Sequence, residues 1–286
     1  VFQIVPWEDR AFNSKLLIAQ VLGRGLRLPI GYENPQPSVV VFNHDSWSKN
    51  IRNLVDEVLE IEPNITKNVL YALYAKSAGI INPFELVIAL TENAMDNGVK
   101  LHLNEEVVDI KKTNNGYLVI TNKGEYITKL VINAAGVYAD KINNLINSEK
   151  YELIPRKGEY FVLDHFEPKY INHVLFTIPT EKGKGILLTP TTSANYLIGP
   201  SSEFVNDKED LSTSKDDLDN VMMQASKLVS FIPKHKIIRE FAGLRAYHSS
   251  NDFVINDYNG FINVLGIQSP GLASAPATAI EVIKLV

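Results

Sequence analysis

Apolar residues recur along this chain with two different spacings, and the switching between them lays out its elements. From Asn53 to Ile61, apolar Leu54, Val55, Val58, Leu59 and Ile61 stand among acids at helical spacing, and Glu62-Pro63-Asn64 stops the run. Val69–Ala75 reads as a strand. Asn82 is a good N-cap, with Pro83 at the first helical position and Glu85 in the first turn, so a helix is predicted to about Asn97, closed by Gly98. Val99–Leu103 is predicted to be a strand. Glu106–Lys112, Gly116–Thr121 and Glu125–Thr128 alternate between β-formers and Asn-Asn-Gly or Asn-Lys-Gly turns, which predicts a small antiparallel meander. The apolar strand Leu130–Asn133 then enters Ala134-Ala135-Gly136 and a helix over Lys141–Ile146.

Beyond Pro155 the texture changes. Arg156–Leu163, Val174–Ile178, Gly185–Pro190 and Tyr196–Gly199 follow at the short spacings of a large antiparallel sheet, with Glu181–Gly185 as a hairpin tip. An acidic stretch from Asp207 to Asp219 leads to a helix over Asp216–Ser230. Met222 and Met223 on it read as core or interface packing. Strands over Ile237–Tyr247 and Asp252–Ile255 precede the closing element. There the apolar run Phe261–Leu265 ends in Gly266-Ile267-Gln268-Ser269-Pro270-Gly271, and an Ala-rich helical segment follows. Such a loop exposes backbone N–H groups and aims the positive end of a helix at whatever lies before it. A tight turn that merely needs glycine explains the same residues.

The first fifty residues carry less pattern. A helix over Asp9–Leu28 and a short strand over Val39–Phe42 are the readings. Gly23-Arg24-Gly25 is rejected as a dinucleotide fingerprint, because it follows a helical segment and lacks the third glycine. His44-Asp45-Ser46 reads as a polar loop.

Composition narrows the function. With 286 residues, 45% hydrophobic and 21% charged, the chain has the makings of one large or two medium globular domains. A net charge of −5 argues against nucleic acid as a partner. With no cysteine there is no disulfide, thiolate metal site or cysteine nucleophile. His102, His165, His173 and His235 show no metal-ligand spacing, and no metal is expected. No apolar run reaches the length of a spanning helix, and nothing has the form of a signal peptide, so a cytoplasmic protein is expected. The chain opens on Val and stops within a helical pattern, from which a fragment of a longer protein is expected.

The motifs Asn133-Ala134-Ala135-Gly136-Val137-Tyr138-Ala139-Asp140, Pro155–Tyr160, Thr189-Pro190-Thr191, Ile198-Gly199-Pro200, Ala242-Gly243-Leu244-Arg245 and Gly266–Leu272 occur in one order. In that order they resemble the FAD-dependent D-amino-acid-oxidase-like superfamily. Within it they are most similar to bacterial glycerol-3-phosphate dehydrogenase and L-2-hydroxyglutarate oxidase relatives. The resemblance runs from Val55 to Ala279. It implies an α/β (α+β) fold: a Rossmann-like FAD-binding domain, incomplete at its N-terminus, with an antiparallel-sheet substrate domain. The expected division is residues 1–68, 83–150 and 258–286 for FAD, and 69–82 and 151–257 for substrate.

By the same resemblance FAD is the cofactor. Ala134, Ala135 and Gly136 would lie near it, and Gly266, Ile267, Gln268, Gly271 and Leu272 would approach its isoalloxazine ring. Val107 would meet the adenine side. Substrate contacts would come from the antiparallel sheet. Arg245 is the first candidate, since an Arg fork suits a carboxylate or phosphate. Tyr160, Lys157, Arg156 and Tyr247 come after it; strand alternation cannot send Arg156 and Lys157 to one face. His248 is either a structural histidine or a catalytic residue beside Arg245. The implied chemistry is oxidation of a CH–OH group on a small anion such as glycerol 3-phosphate or 2-hydroxyglutarate. Oxidation of an amine, or a non-catalytic binding module on the same fold, are the alternatives. A hydrolase built on Ser269 is discounted, because the loop lacks the spacing of a nucleophile elbow. Quinone, oxygen or a protein stays open as electron acceptor, as does a peripheral membrane association of the full enzyme. The family's opening Gly-x-Gly-x-x-Gly and the acid that follows it are missing from residues 1–50.

Overall fold

The structure, a computed structural model, describes residues 2–4, 58–69, 72–75, 78–177 and 185–286. The readings at Asp9–Leu28, Gly23–Gly25, Val39–Phe42 and His44–Ser46 lie outside the described residues, as does most of the Glu181–Gly185 tip. The chain forms two compact units. One takes Val1–Asn82, Glu159–Ser202 and Ser212–Ala242; the other takes Pro83–Gly158, Glu203–Leu211 and Gly243–Val286.

The first unit begins with β1 (Phe2–Ile4) and β2 (Ala72–Tyr74). The second supplies α1 (Pro83–Asp96), β3 (Val107–Thr113), β4 (Gly116–Thr121), β5 (Glu125–Thr128), β6 (Val131–Asn133) and α2 (Ala139–Ile146). Strand β7 (Ile154–Leu163) crosses the boundary, and β8 (Leu175–Thr177), β9 (Leu187–Pro190) and β10 (Tyr196–Gly199) belong to the first unit. Strand β11 (Glu203–Phe204) returns to the second unit, α3 (Lys215–Ala225) to the first, and β12 (Ile237–Tyr247) crosses again. The second unit closes with β13 (Val254–Asp257), β14 (Phe261–Leu265) and α4 (Gly271–Ile283).

In the first unit the sheet runs β7-β10-β9-β8-β1-β2, with β12 also paired to β7. Along β7-β10-β9-β8-β1-β2 the pairs are antiparallel apart from β1 beside β8, and Ile198 opposes Phe161 across β10 and β7. One core, with Leu163, Leu175, Leu188 and Ile198 fully buried, is covered by Leu218 and Val221 of α3. Ser214 caps α3 by accepting the Asp217 amide at 3.1 Å, and Asp216 and Asp217 fill its first turn. The helix stops at Ala225 rather than Ser230. The chain there is needed elsewhere: Leu228 O accepts the Thr66 amide at 2.9 Å, and Val229 bridges to Ile65.

The second unit holds two small sheets. The meander β3-β4-β5 is antiparallel, as its turns predict. The other sheet runs β13-β14-β6, with β14 parallel to β6. Phe261, Ile110 and Tyr117 form a core between them, joined by Ile142 and Ile146 of α2. Helix α1 begins at Pro83 and ends before Gly98 (φ +93°), where its pattern places it. It buries no residue, and Phe84, Val87 and Ile88 are exposed. Val99–Leu103 is not a strand. A strand exists only where a neighbour takes its N–H and C=O groups, and this segment pairs with no strand among the described residues. No helix among the described residues is long and apolar enough to cross a membrane.

Candidate functional site

The parallel pair β6 and β14 organises the site. Asn133 and Asn263 are register partners. Three residues beyond each stands a glycine in left-handed backbone, Gly136 at φ +59° and Gly266 at φ +68°. Each loop leads to a helix, α2 or α4. Ligands of open α/β sheets sit in the crevice outside such carboxyl ends.

The two glycines serve different needs. A Cβ on Gly266 would stand 3.0 Å from Asp252 O and 3.1 Å from His248 Cβ, so this loop packs directly against the 248–252 turn. Among the described residues a Cβ on Gly136 would meet nothing within 4 Å, so the space before Ala134-Ala135-Gly136, all exposed, is open to a ligand there. At α4 no side chain caps the N-terminus, and Leu272 and Ala273 of its first turn are exposed. Gln268 donates from Nε2 to Asn251 Oδ1 at 3.2 Å, a second tie between the loop and the turn. Loops of backbone, Ala and Gly at paired strand ends fit a flat ring system. The glycine-rich phosphate fingerprint is not in this sequence, so the fit concerns the ring side of a dinucleotide.

Behind the loops lies a network of asparagines that the sequence analysis missed. Asn133 Nδ2 donates to Asn263 Oδ1 at 2.9 Å and to Ala139 O at 2.7 Å. Asn263 Nδ2 donates to Asn143 Oδ1 at 2.8 Å and to Asn256 Oδ1 at 3.2 Å. Asn133, Asn143 and Asn263 are buried. Asn133 Oδ1 is buried too and accepts no hydrogen bond. The signal was available: an asparagine within Phe261–Leu265 and another ending Leu130–Asn133 are polar residues in buried runs.

His248 is held through Nδ1 by Ser250, whose Oγ lies at 2.8 Å, and its ring meets Tyr151 at 5.7 Å between centroids. Arg245 donates from Nε and Nη2 to the carbonyls of Arg156 and Lys157 at 3.3 and 3.4 Å. Lys157 is buried and donates to Asp210 at 2.9 Å, whereas Arg156 lies over the Phe204 ring. Tyr247 meets the same Phe204 ring edge-on at 4.9 Å. Thus the second unit gathers Gly266, Gln268 and His248 at one place, and Arg245, Arg156, Lys157 and Tyr247 around β7 and β11 at another. Tyr160 belongs to the first unit, stacked on Phe241 at 5.0 Å.

Val107 lines a cavity of about 280 Å³ with His102, Glu105, Val119, Thr121 and Tyr126. Glu105 accepts from Thr121 Oγ1 and Tyr126 OH, each at 2.7 Å, and His102 Nδ1 lies at 3.0 Å. The Thr121 hydroxyl first, then Tyr126, hold its carboxyl down at about 2. The folded state thus binds this proton less readily than the unfolded chain. The stability it confers is present above about pH 4.5 and is lost as pH falls towards 2. Glu105→Gln is expected to flatten the pH dependence of urea stability in that window; an unchanged slope refutes the arrangement.

A parallel strand pair ending in two glycine loops, each leading into a helix, defines a dinucleotide-binding type of α/β protein. The chain belongs to the FAD dependent oxidoreductase family, whose model matches residues 42–285. It is 49% identical over 233 residues to a glycerol 3-phosphate dehydrogenase of Caloramator mitchellensis, covering 80% of this chain and 48% of that protein. It is 31% identical over 286 residues to a glycerol 3-phosphate oxidase of Mycoplasma genitalium, covering 96% of this chain and 71% of that one. The dithionite-reduced L-alpha-glycerophosphate oxidase of Mycoplasma pneumoniae with FAD bound superposes with a TM-score of 0.80 at 25% identity, over 100% of this chain and 72% of that one. The chain spans about half the length of the first of these relatives.

Proposed function

We propose that this chain forms part of an FAD-dependent oxidoreductase that oxidises the CH–OH group of a small anion, glycerol 3-phosphate before a 2-hydroxy acid. The carrying observation is the pair of glycine loops beyond Asn133 and Asn263, with His248 packed against one of them. The similarity to glycerol 3-phosphate dehydrogenases and oxidases supports the substrate class. FAD, when bound, accepts the hydride. The residues to hold it are Ala134, Ala135 and Gly136 on one loop and Gly266, Ile267, Gln268, Gly271 and Leu272 on the other, with Val107 on the adenine side. Arg245 binds the substrate anion, its fork oriented by the carbonyls of Arg156 and Lys157. Tyr160, Lys157 and Tyr247 are further substrate-side candidates. His248 takes the hydroxyl proton, its ring set by Ser250.

The test is the visible spectrum of the purified protein with and without added FAD. Flavin bands that stay with the protein support the reading. No binding at saturating FAD by the full-length protein that contains this chain overturns it and leaves the non-catalytic module. In the flavin-loaded protein, Arg245→Ala should raise KM for glycerol 3-phosphate by roughly 10- to 100-fold, the worth of a hydrogen bond to a charged group. Flavin content should not change. An unchanged KM removes Arg245 from the site.

A further inference from the structure

The chain leaves the first unit after Ser202, spends Glu203–Leu211 in the second, and returns at Ser212. An Asx turn shapes this excursion: Asp207 Oδ1 accepts the Glu209 amide at 2.9 Å. Its three following side chains reach three different targets. Lys208 Nζ donates to both carboxylate oxygens of Asp140, at 2.6 and 2.7 Å, and to Val137 O at 2.7 Å. Glu209 accepts the Tyr138 hydroxyl. Asp210 accepts Lys157 Nζ at 2.9 Å. Upstream, Glu203 and Phe204 pair with Lys157 and Arg156 in β11 and β7.

Val137, Tyr138 and Asp140 follow Gly136 directly, in the 3-10 turn and the start of α2. That turn has no side-chain cap of its own. Asp140, buried, also accepts the Leu153 amide at 2.8 Å and so is fixed before Lys208 reaches it. Tyr138 is held between the Glu209 carboxylate and the Lys208 and Lys141 ammonium groups near its ring. Among the described residues nothing stands within 4 Å of where a Cβ on Gly136 would be. The turn's position is set from behind.

We propose that Lys208 is a positioning residue, and that the Glu203–Leu211 strap places the Ala134–Gly136 turn against the flavin while tying it to Lys157 on β7. This rests on the flavin reading of that turn. A strap fastened at both places couples the substrate-side strand to the cofactor-side turn. Lys208 does so through a carbonyl and a carboxylate, which an apolar residue cannot replace.

The test compares the unaltered protein with Lys208→Met, Lys208→Arg and the double variant Lys208→Met/Asp140→Asn. Two quantities are read: the FAD dissociation constant, by flavin fluorescence, and amide hydrogen exchange at Gly136–Tyr138 in flavin-free protein. Lys208→Met should raise the dissociation constant about tenfold and speed exchange at these amides by a similar factor. Lys208→Arg should recover most of both. The double variant should recover thermal stability, because Asp140→Asn leaves no unpaired buried charge and its amide oxygen still accepts the Leu153 amide, and yet keep the weakened FAD binding. Recovery of FAD binding together with stability would make the strap a stability element only and overturn the inference. Unchanged dissociation constants in Lys208→Met overturn it equally. The variants are made in the full-length protein that contains this chain; if that protein, unaltered, binds no FAD, the flavin reading is overturned instead, before any variant is measured. If Lys208→Met does not fold, Glu209→Gln, which loosens the Tyr138 hydroxyl, gives the same two readings with smaller shifts.

Discussion

Asn263→Asp should destabilise the protein by roughly 3–5 kcal/mol, the cost of an uncompensated buried charge. Asn263 is fully buried, and its amide does two opposite things at once. Its oxygen accepts from Asn133, and its nitrogen donates to Asn143 and Asn256. An aspartate keeps the first bond. It turns the other two contacts into oxygen facing oxygen and carries a charge into a place with no cation among these partners. Asn263→Leu should cost less, about 2–4 kcal/mol, from the second Asn133 donor and the Asn256 acceptor left unpaired. Urea unfolding with an unchanged m-value is the measurement. Both variants within about 0.5 kcal/mol of the unaltered protein, the scatter of ordinary surface changes, would show that the network carries no weight.

The second large effect is on cofactor binding. Gly266→Val should abolish detectable FAD binding and lower stability by about 1–3 kcal/mol through the left-handed backbone alone. The added Cβ would stand 3.0 Å from the Asp252 carbonyl oxygen and 3.1 Å from His248 Cβ, so the loop and the 248–252 turn must shift apart to admit it and the two valine methyls beyond it. Gly136→Ala makes the contrast. Its Cβ meets nothing among the described residues, so the strain of φ +59° is what these residues impose, about 1–2 kcal/mol. FAD affinity should fall there too, because the methyl projects into the open space before the turn. Flavin retained at full stoichiometry in Gly266→Val would remove that loop from the site.

Local pattern read the meander, β6, α1, β10 and β14 well. Each depends on neighbours in sequence or on a hairpin turn. It failed at Val99–Leu103, whose alternating Val99, Leu101 and Leu103 suit a strand that finds no partner among the described residues. It also failed at β1, a three-residue strand completed by β2 and β8, and at β11, where Glu203 and Phe204 carry no periodic signal. For the site, the glycine loops were legible because a left-handed turn after an apolar strand demands glycine. Arg245 and Lys157 were legible as charged types on strands. What they touch was not: Lys157 is buried against Asp210, and Arg245 reaches backbone carbonyls. Glu105, its carboxyl fixed by Thr121, Tyr126 and His102, gave no sign in the sequence, since its partners lie on different strands and loops.

By itself, then, the sequence determined the alternation of elements, the two glycine loops and the family they resemble, because turn chemistry and periodicity act over a few residues. The tertiary structure alone decided that the two loops leave neighbouring parallel strands in register at Asn133 and Asn263. It alone brought His248 against Gly266, and Lys208 to Asp140 across 68 positions of chain. Pairings of that kind are set by which surfaces are buried together, and no local rule of spacing encodes them.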